Sequence, residues 1–124
     1  MDIDYTYYPD SKYLFVIISG KLDWHILQQA AENITTSSDF PSNVNALYDL
    51  RELDFSTITS DFENKLILFR KQLNRGDAKI ACVVSTEHGF AMGRMYQSLS
   101  EDLPQTVQIF RSLDEARNWL TSSI

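Results

Sequence analysis

The run Leu14-Phe15-Val16-Ile17-Ile18 holds five apolar residues with no polar alternation. A strand with one wet face alternates apolar and polar side chains, whereas a strand covered on both faces does not. This run therefore predicts an interior strand of a sheet with helices packed on both sides. Residues 78–85 repeat the pattern as Ala-Lys-Ile-Ala-Cys-Val-Val-Ser. Two such strands in 124 residues predict one α/β core and a single domain over residues 1–124. With four Gly and three Pro, and neither a low-complexity run nor an internal repeat, the chain contains no linker.

The remaining elements follow from periodicity and turn chemistry. Residues 3–8 and 12–19 are rich in aromatic and β-branched side chains and flank Pro9-Asp10-Ser11. They predict an antiparallel pair with the first strand at the sheet edge. Gly20 ends the second strand. Leu27, Ala30, Ala31 and Ile34 have the spacing of a helix with one buried face over residues 23–35. Asp23 is its predicted N-cap. Residues 44–50 read as a third strand. Ser60-Asp61-Phe62-Glu63 then has the form of a capping box and opens a helix predicted to reach residue 75. The strand at 78–85 leads to a helix over residues 87–101 that carries Met92, Met95, Tyr96 and Leu99 on one face. A last strand spans 106–110. Ser112-Leu113-Asp114-Glu115 repeats the capping box before a short helix with Ala116, Trp119 and Leu120. The predicted order is ββαβαβαβα, a mixed, mostly parallel five-stranded sheet with four helices.

Charge and composition exclude several functions. Eleven Lys and Arg against seventeen Asp and Glu give a net charge of −6. That balance repels a phosphate backbone, so no nucleic-acid partner is expected. Cys82, His25 and His88 form no spaced ligand set, so neither a zinc site nor another cofactor is expected. The chain opens on no charged and apolar leader and holds no long apolar run, which places it in the cytoplasm, with peripheral membrane attachment as the variant.

Gly20-Lys21-Leu22-Asp23 after an apolar strand, with Leu27 and Ile34 downstream, resembles the Gly-x-Leu-Asp opening of STAS domains, the family of the bacterial anti-sigma-factor antagonist SpoIIAA. The strand ending Asp49-Leu50-Arg51, and Glu115-Ala116-Arg117-Asn118-Trp119-Leu120 near the end, resemble the diverged SpoIIAA-like branch. The antagonists carry Asp-Ser-Ser-Gly after the third strand, where a phosphorylated Ser switches partner binding. Here Thr57-Ile58-Thr59-Ser60 stands at that place, and Ile58 has no hydroxyl to modify. Thr57, Thr59 and Ser60 remain candidate acceptors, with Ser60 as helix cap the competing reading. The SpoIIAA-like branch also implies relatedness to the CRAL-TRIO (Sec14-like) lipid-binding fold, and with it an apolar ligand or membrane association.

Two helices carry residues beyond the needs of a core. On the helix from residue 60, Phe62, Leu66, Phe69 and Leu73 form a sufficient buried stripe, which leaves Ile67 and Leu68 on the flanks of an outward face. Residues 65–75 hold four basic side chains and no acidic one, with Lys71 and Arg75 on or beside that face. Ile67, Leu68, Lys71 and Arg75 therefore form a candidate contact for an anionic membrane or an acidic partner. Packing of Ile67 or Leu68 on a loop or in a homodimer is the competing reading. On the next helix Phe90 points away from the Met92, Met95, Tyr96 stripe and is bracketed by Gly89 and Gly93. That turn reads as a mobile lid, with Met as ordinary core filler the alternative. Phe62, Leu66, Phe69, Phe90, Met92, Met95 and Tyr96 are the candidate ligand-binding residues.

Asp49, Arg51, Glu87 and His88 fall at the carboxyl ends of parallel strands, where open α/β sheets bind ligands. No nucleophile elbow, phosphate loop or paired-carboxylate motif accompanies them, so no catalytic residue is assigned and an enzyme is not expected. Cys82, inside an apolar strand, reads as an inert thiol. The expected function is a binding module for an apolar or lipid-like small molecule with reversible membrane contact. The alternative is a regulatory protein-interaction domain without the phosphoserine motif.

Overall fold

The structure, a computed structural model, describes residues 1–73 and 75–122. The elements in chain order are β1 (Asp2–Tyr8), β2 (Tyr13–Gly20), α1 (Trp24–Thr36), β3 (Asn45–Leu53), a 3₁₀ turn (Phe55–Thr57), α2 (Ser60–Gln72), β4 (Lys79–Val83), α3 (Glu87–Leu99), β5 (Thr106–Phe110) and α4 (Leu113–Thr121). The five strands lie in one sheet in their sequence order. The β1 edge is antiparallel to β2, and the other pairs are parallel. This is the architecture expected from the periodicity.

The two faces of the sheet are covered differently. Tyr13, Leu47, Ala81 and Val83 point to one face and pack with Ala116 and Leu120 of α4. Leu14, Val16, Ile18 and Ala46 point to the other face, where Ile34 of α1 joins them. Ile80, Cys82, Val107 and Ile109 continue that second face under Phe90 and Tyr96 of α3. Central strands sandwiched in this way have little use for alternation, which is why β4 reads as a continuous apolar run; in β2 the cover stops short of Ile17, which is 42% exposed.

Local chemistry sets the ends of the elements. Gly20 closes β2 with φ of +83°, a backbone conformation that a side chain disfavours, and its carbonyl accepts from the Asp54 backbone N–H at 2.9 Å. Asp23 caps α1 by accepting from the Ile26 N–H at 3.2 Å, and Ser112 caps α4 through the Glu115 N–H. The cap of α2 is displaced by one residue from the expectation. Thr59, not Ser60, accepts from the Phe62 N–H at 3.2 Å. The helix also ends at Gln72 rather than at residue 75.

Two readings of α3 are corrected by packing. Phe90 is a half-buried helical residue that joins the core cluster of β4 and β5, with the Arg111 guanidinium 4.1 Å from its ring centroid. It is not on a detached lid. The glycines beside it answer a need for close approach rather than mobility. A Cβ at Gly89 would lie 2.9 Å from Thr86 Oγ1, and one at Gly93 would lie 3.0 Å from Ile109 Cγ2. At Gly89 the missing side chain makes room for the capping Thr86 and the Phe55 ring, and at Gly93 it lets α3 press onto β5.

Candidate functional site

Between α2 and the sheet face beneath it lies a cavity of about 180 Å³. Its floor comes from alternate residues of the parallel strands: Ile18, Tyr48, Leu50, Ile80, Cys82 and Ile109. Its roof is the inner side of α2, with Phe62, Leu66 and Phe69, continued by Leu73 just past the helix end. Leu27 and Ala31 of α1 form one wall, and Met92 and Tyr96 of α3 form the other. Ile58, in the loop before α2, also lines it.

The cavity stays open because large side chains strut α2 away from its neighbours. Trp24, the first residue of α1, meets Phe62 and Phe69 edge to face, with centroids 5.9 and 5.4 Å apart. Lys65 Nζ sits 4.3 Å from the Trp24 ring centroid. On the opposite flank Arg70 donates to Tyr96 Oη at 2.7 Å, to Ser100 Oγ at 2.9 Å and to Gln105 Oε1 at 2.8 Å. Gln105 in turn donates to the Gly76 carbonyl at 2.8 Å, which fixes the loop after α2. Collapse of the helix onto the sheet would break these contacts, and each buried polar atom released would cost about 1 to 3 kcal/mol.

Two polar side chains in the lining keep an atom unpaired. Glu63 is 4% exposed, and its Oε1 has no hydrogen-bond partner among the described residues. Burial pushes its carboxyl up to about 7. Arg75 is 8% exposed; one terminal nitrogen donates to the Val44 carbonyl at 2.8 Å, and Nε is unpartnered among the described residues. Glu63 lies in the first turn of α2 and Arg75 beyond its last, so the two stand toward opposite ends of the roof. Burial also raises the Cys82 thiol, to about 12, and shifts the Tyr96 phenol upward. An apolar chamber with an acceptor at one end and a guanidinium donor at the other suits an amphipathic guest.

Of the residues singled out from the sequence as ligand-binding, Phe62, Leu66, Phe69, Met92 and Tyr96 line the cavity together. Phe90 and Met95 do not; Met95 is 42% exposed on the outer side of α3. The outward face assigned to α2 is narrower than expected. Leu68 is 61% exposed and Lys71 is exposed, but Ile67 is 7% exposed and Arg75 is inside. At 100° per residue Ile67 stands about 140° from Phe62, on the flank shared with Glu63 and Arg70. That flank is covered because Arg70 meets α3 there, and the Trp24 side is covered by α1. A helix with a neighbour on each side buries a wider arc than a core stripe requires.

Thr57, Thr59 and Ser60 are all exposed. The residues at the carboxyl ends of the strands do not gather into one centre. Asp49 pairs with Arg51 at 2.8 Å, which holds the Asp49 carboxyl below its ordinary range. Glu87 pairs with Arg111 at 3.2 Å, and His88 Nε2 lies 3.3 Å from the Phe55 carbonyl. The residue missed at the sequence level is Glu63, which the capping-box pattern absorbed as the reciprocal partner of Ser60. The available signal was Thr59, a competent though weaker cap one position earlier, which moves Glu63 out of the capping role and turns it inward.

No protein-family model and no curated protein matches the sequence. Among solved structures, the chain is similar to an uncharacterized protein of the DUF3478 family with a SpoIIAA-like fold from Shewanella loihica. The two share 24% sequence identity and a TM-score of 0.63 over 96% of this chain and 92% of that one. Strand order, crossover pattern and this likeness agree: the chain is an α/β domain with the SpoIIAA-like, STAS-type fold.

Proposed function

We propose that this domain is a binding module that holds one small apolar, lipid-like molecule between α2 and the sheet. The observation that carries the reading is the cavity of about 180 Å³ with an almost wholly apolar lining. An apolar cavity of roughly 150 Å³ is enough to stay dry and take up benzene. Burial of apolar surface supplies the affinity, and the few polar atoms orient the guest.

Membrane contact enters this proposal as a transient step by which the guest is exchanged. Leu68 contributes roughly 1.5 to 3 kcal/mol if fully inserted, and Lys71 about 1 kcal/mol near anionic lipid. Association costs about 4 kcal/mol or more, so the two residues do not hold the protein at a bilayer. No helix among the described residues is long and apolar enough to cross a membrane.

The test is native mass spectrometry of freshly purified protein beside a displacement assay with the neutral fluorescent probe N-phenyl-1-naphthylamine. The expected result is a retained small adduct and saturable probe binding, both abolished by Leu66→Trp, which fills the chamber from its roof. Probe binding unchanged by Leu66→Trp sinks the proposal. Liposome co-sedimentation weakened by Leu68→Asp with Lys71→Glu is expected for the exchange step; indifference to that pair removes it.

A second reading, a regulatory protein-interaction domain, is favoured by one observation. Because Thr59 caps α2, the exposed Ser60 hydroxyl is left without that duty at a helix N-terminus, where added negative charge is stabilising. A phosphate on Thr57, Thr59 or Ser60, read by intact mass from native cells, supports it; protein that remains unmodified while it retains a small adduct supports the first reading.

A further inference from the structure

Glu63 stands out in the roof of the cavity. A carboxyl buried in an apolar wall is costly unless its oxygens are paired, and native interiors leave few such atoms alone. Its Oε1 is unpartnered among the described residues, and the side chain is almost wholly inaccessible to solvent. The neighbours that might neutralise it are engaged elsewhere. Arg70 is committed to Tyr96, Ser100 and Gln105, and Arg75 lies beyond the far end of the helix and donates to Val44. Tyr48 and Cys82 in the floor, Tyr96 in the wall and Met1, which carries the α-amino group, are the other titratable residues of the lining.

Resting on the reading of the cavity as a ligand site, we propose that the guest is an amphipath bearing a hydroxyl group, which donates to Glu63 Oε1 while its apolar body fills the space below Leu66 and Phe69. Three headgroups compete for that place. An ammonium would require ionised Glu63 and the desolvation of two charges, which a pair in an apolar chamber does not readily recover. A carboxylate would confront a like charge. A hydroxyl both donates and accepts, so it satisfies Glu63 whether or not the acid carries its proton.

The deciding experiment uses isomeric probes of one volume, 1-octanol and heptyl methyl ether, with octylamine as a third, titrated calorimetrically into the full chain at pH 8.5. At that pH the Glu63 carboxyl, which burial places at about 7, is ionised and needs a donor. Wild type is expected to bind octanol at least 10-fold more tightly than the ether, and more tightly than octylamine. Glu63→Met, which keeps the volume and removes the acceptor, is expected to bind octanol and ether within about 2-fold of each other. Equal binding of octanol and ether by wild type overturns the hydroxyl assignment and leaves the cavity reading standing, and a preference for octylamine does the same in favour of a cation. Failure of wild type and Glu63→Met to bind any probe overturns the cavity reading on which the assignment rests.

Discussion

The Arg70 guanidinium of α2 donates to the Tyr96 hydroxyl of α3 at 2.7 Å, across the side of the cavity. The same guanidinium is held by Ser100 and Gln105, so one side chain ties the roof to two neighbouring segments. Tyr96→Phe removes one acceptor and leaves two, and it is expected to cost about 1 to 2 kcal/mol. Arg70→Met releases all three partners and should cost more. Urea midpoints of the two single variants and the double variant measure the coupling, expected at roughly 0.5 to 3 kcal/mol for directly bonded residues. Strict additivity would mean that the contact does not support the roof.

Gly93→Ala separates packing from mobility by the sign of its effect. In a loosely held turn, Ala is favoured over Gly by about 1 kcal/mol and the variant would gain stability. Against β5, the new Cβ would lie 3.0 Å from Ile109 Cγ2, tighter than ordinary contact, and Ile109 is buried. A loss of about 1 to 3 kcal/mol in thermal or urea unfolding is therefore expected. A gain would restore the lid.

The pH dependence of stability carries the signature of Glu63. Its carboxyl sits at about 7 in the folded protein against an ordinary 4.5. Between those values the unfolded chain has released the proton while the folded chain keeps it, so stability falls as pH rises through the window and levels off above it. Ligand-free Glu63→Gln should lose this slope. Above pH 7 it should exceed wild type by on the order of 1 to 3 kcal/mol, because there the folded wild type has to hold a buried charge that Gln does not carry. Denaturant titrations from pH 4.5 to 8 check both; a wild-type slope that survives the substitution would assign the proton elsewhere.

Cys82 should be chemically silent. Its thiol is buried in β4 and pushed up to about 12, so the reactive thiolate is scarce at neutral pH. Thiol titration with a disulfide reagent at pH 8 should show no fast reaction in native protein and one equivalent after denaturation. Rapid native labelling, slowed by octanol, would instead reveal an open path to the cavity floor.

The architecture is legible in the sequence because each element advertises itself over a few neighbouring residues. The unbroken run at Leu14 marks an interior strand, though its cover fails at the exposed Ile17, and Asp23 and Ser112 mark caps that form as expected. The site was legible in part. Phe62, Leu66, Phe69, Met92 and Tyr96 fall on inner helix faces that periodicity exposes, and they meet around one chamber. Ile67, Arg75, Phe90 and Glu63 were misplaced for related reasons. Ile67 turned inward because α2 has α1 on one flank and α3 on the other, and Phe90 entered the core because α3 presses onto β5. Arg75 reached Val44 across the fold. Glu63 moved from cap to cavity when Thr59 took the capping bond. Short-range periodicity and capping specify which segments coil and which extend. Which flank of a helix is covered, and which polar atom ends without a partner, depends on elements distant in the chain that only folding brings together.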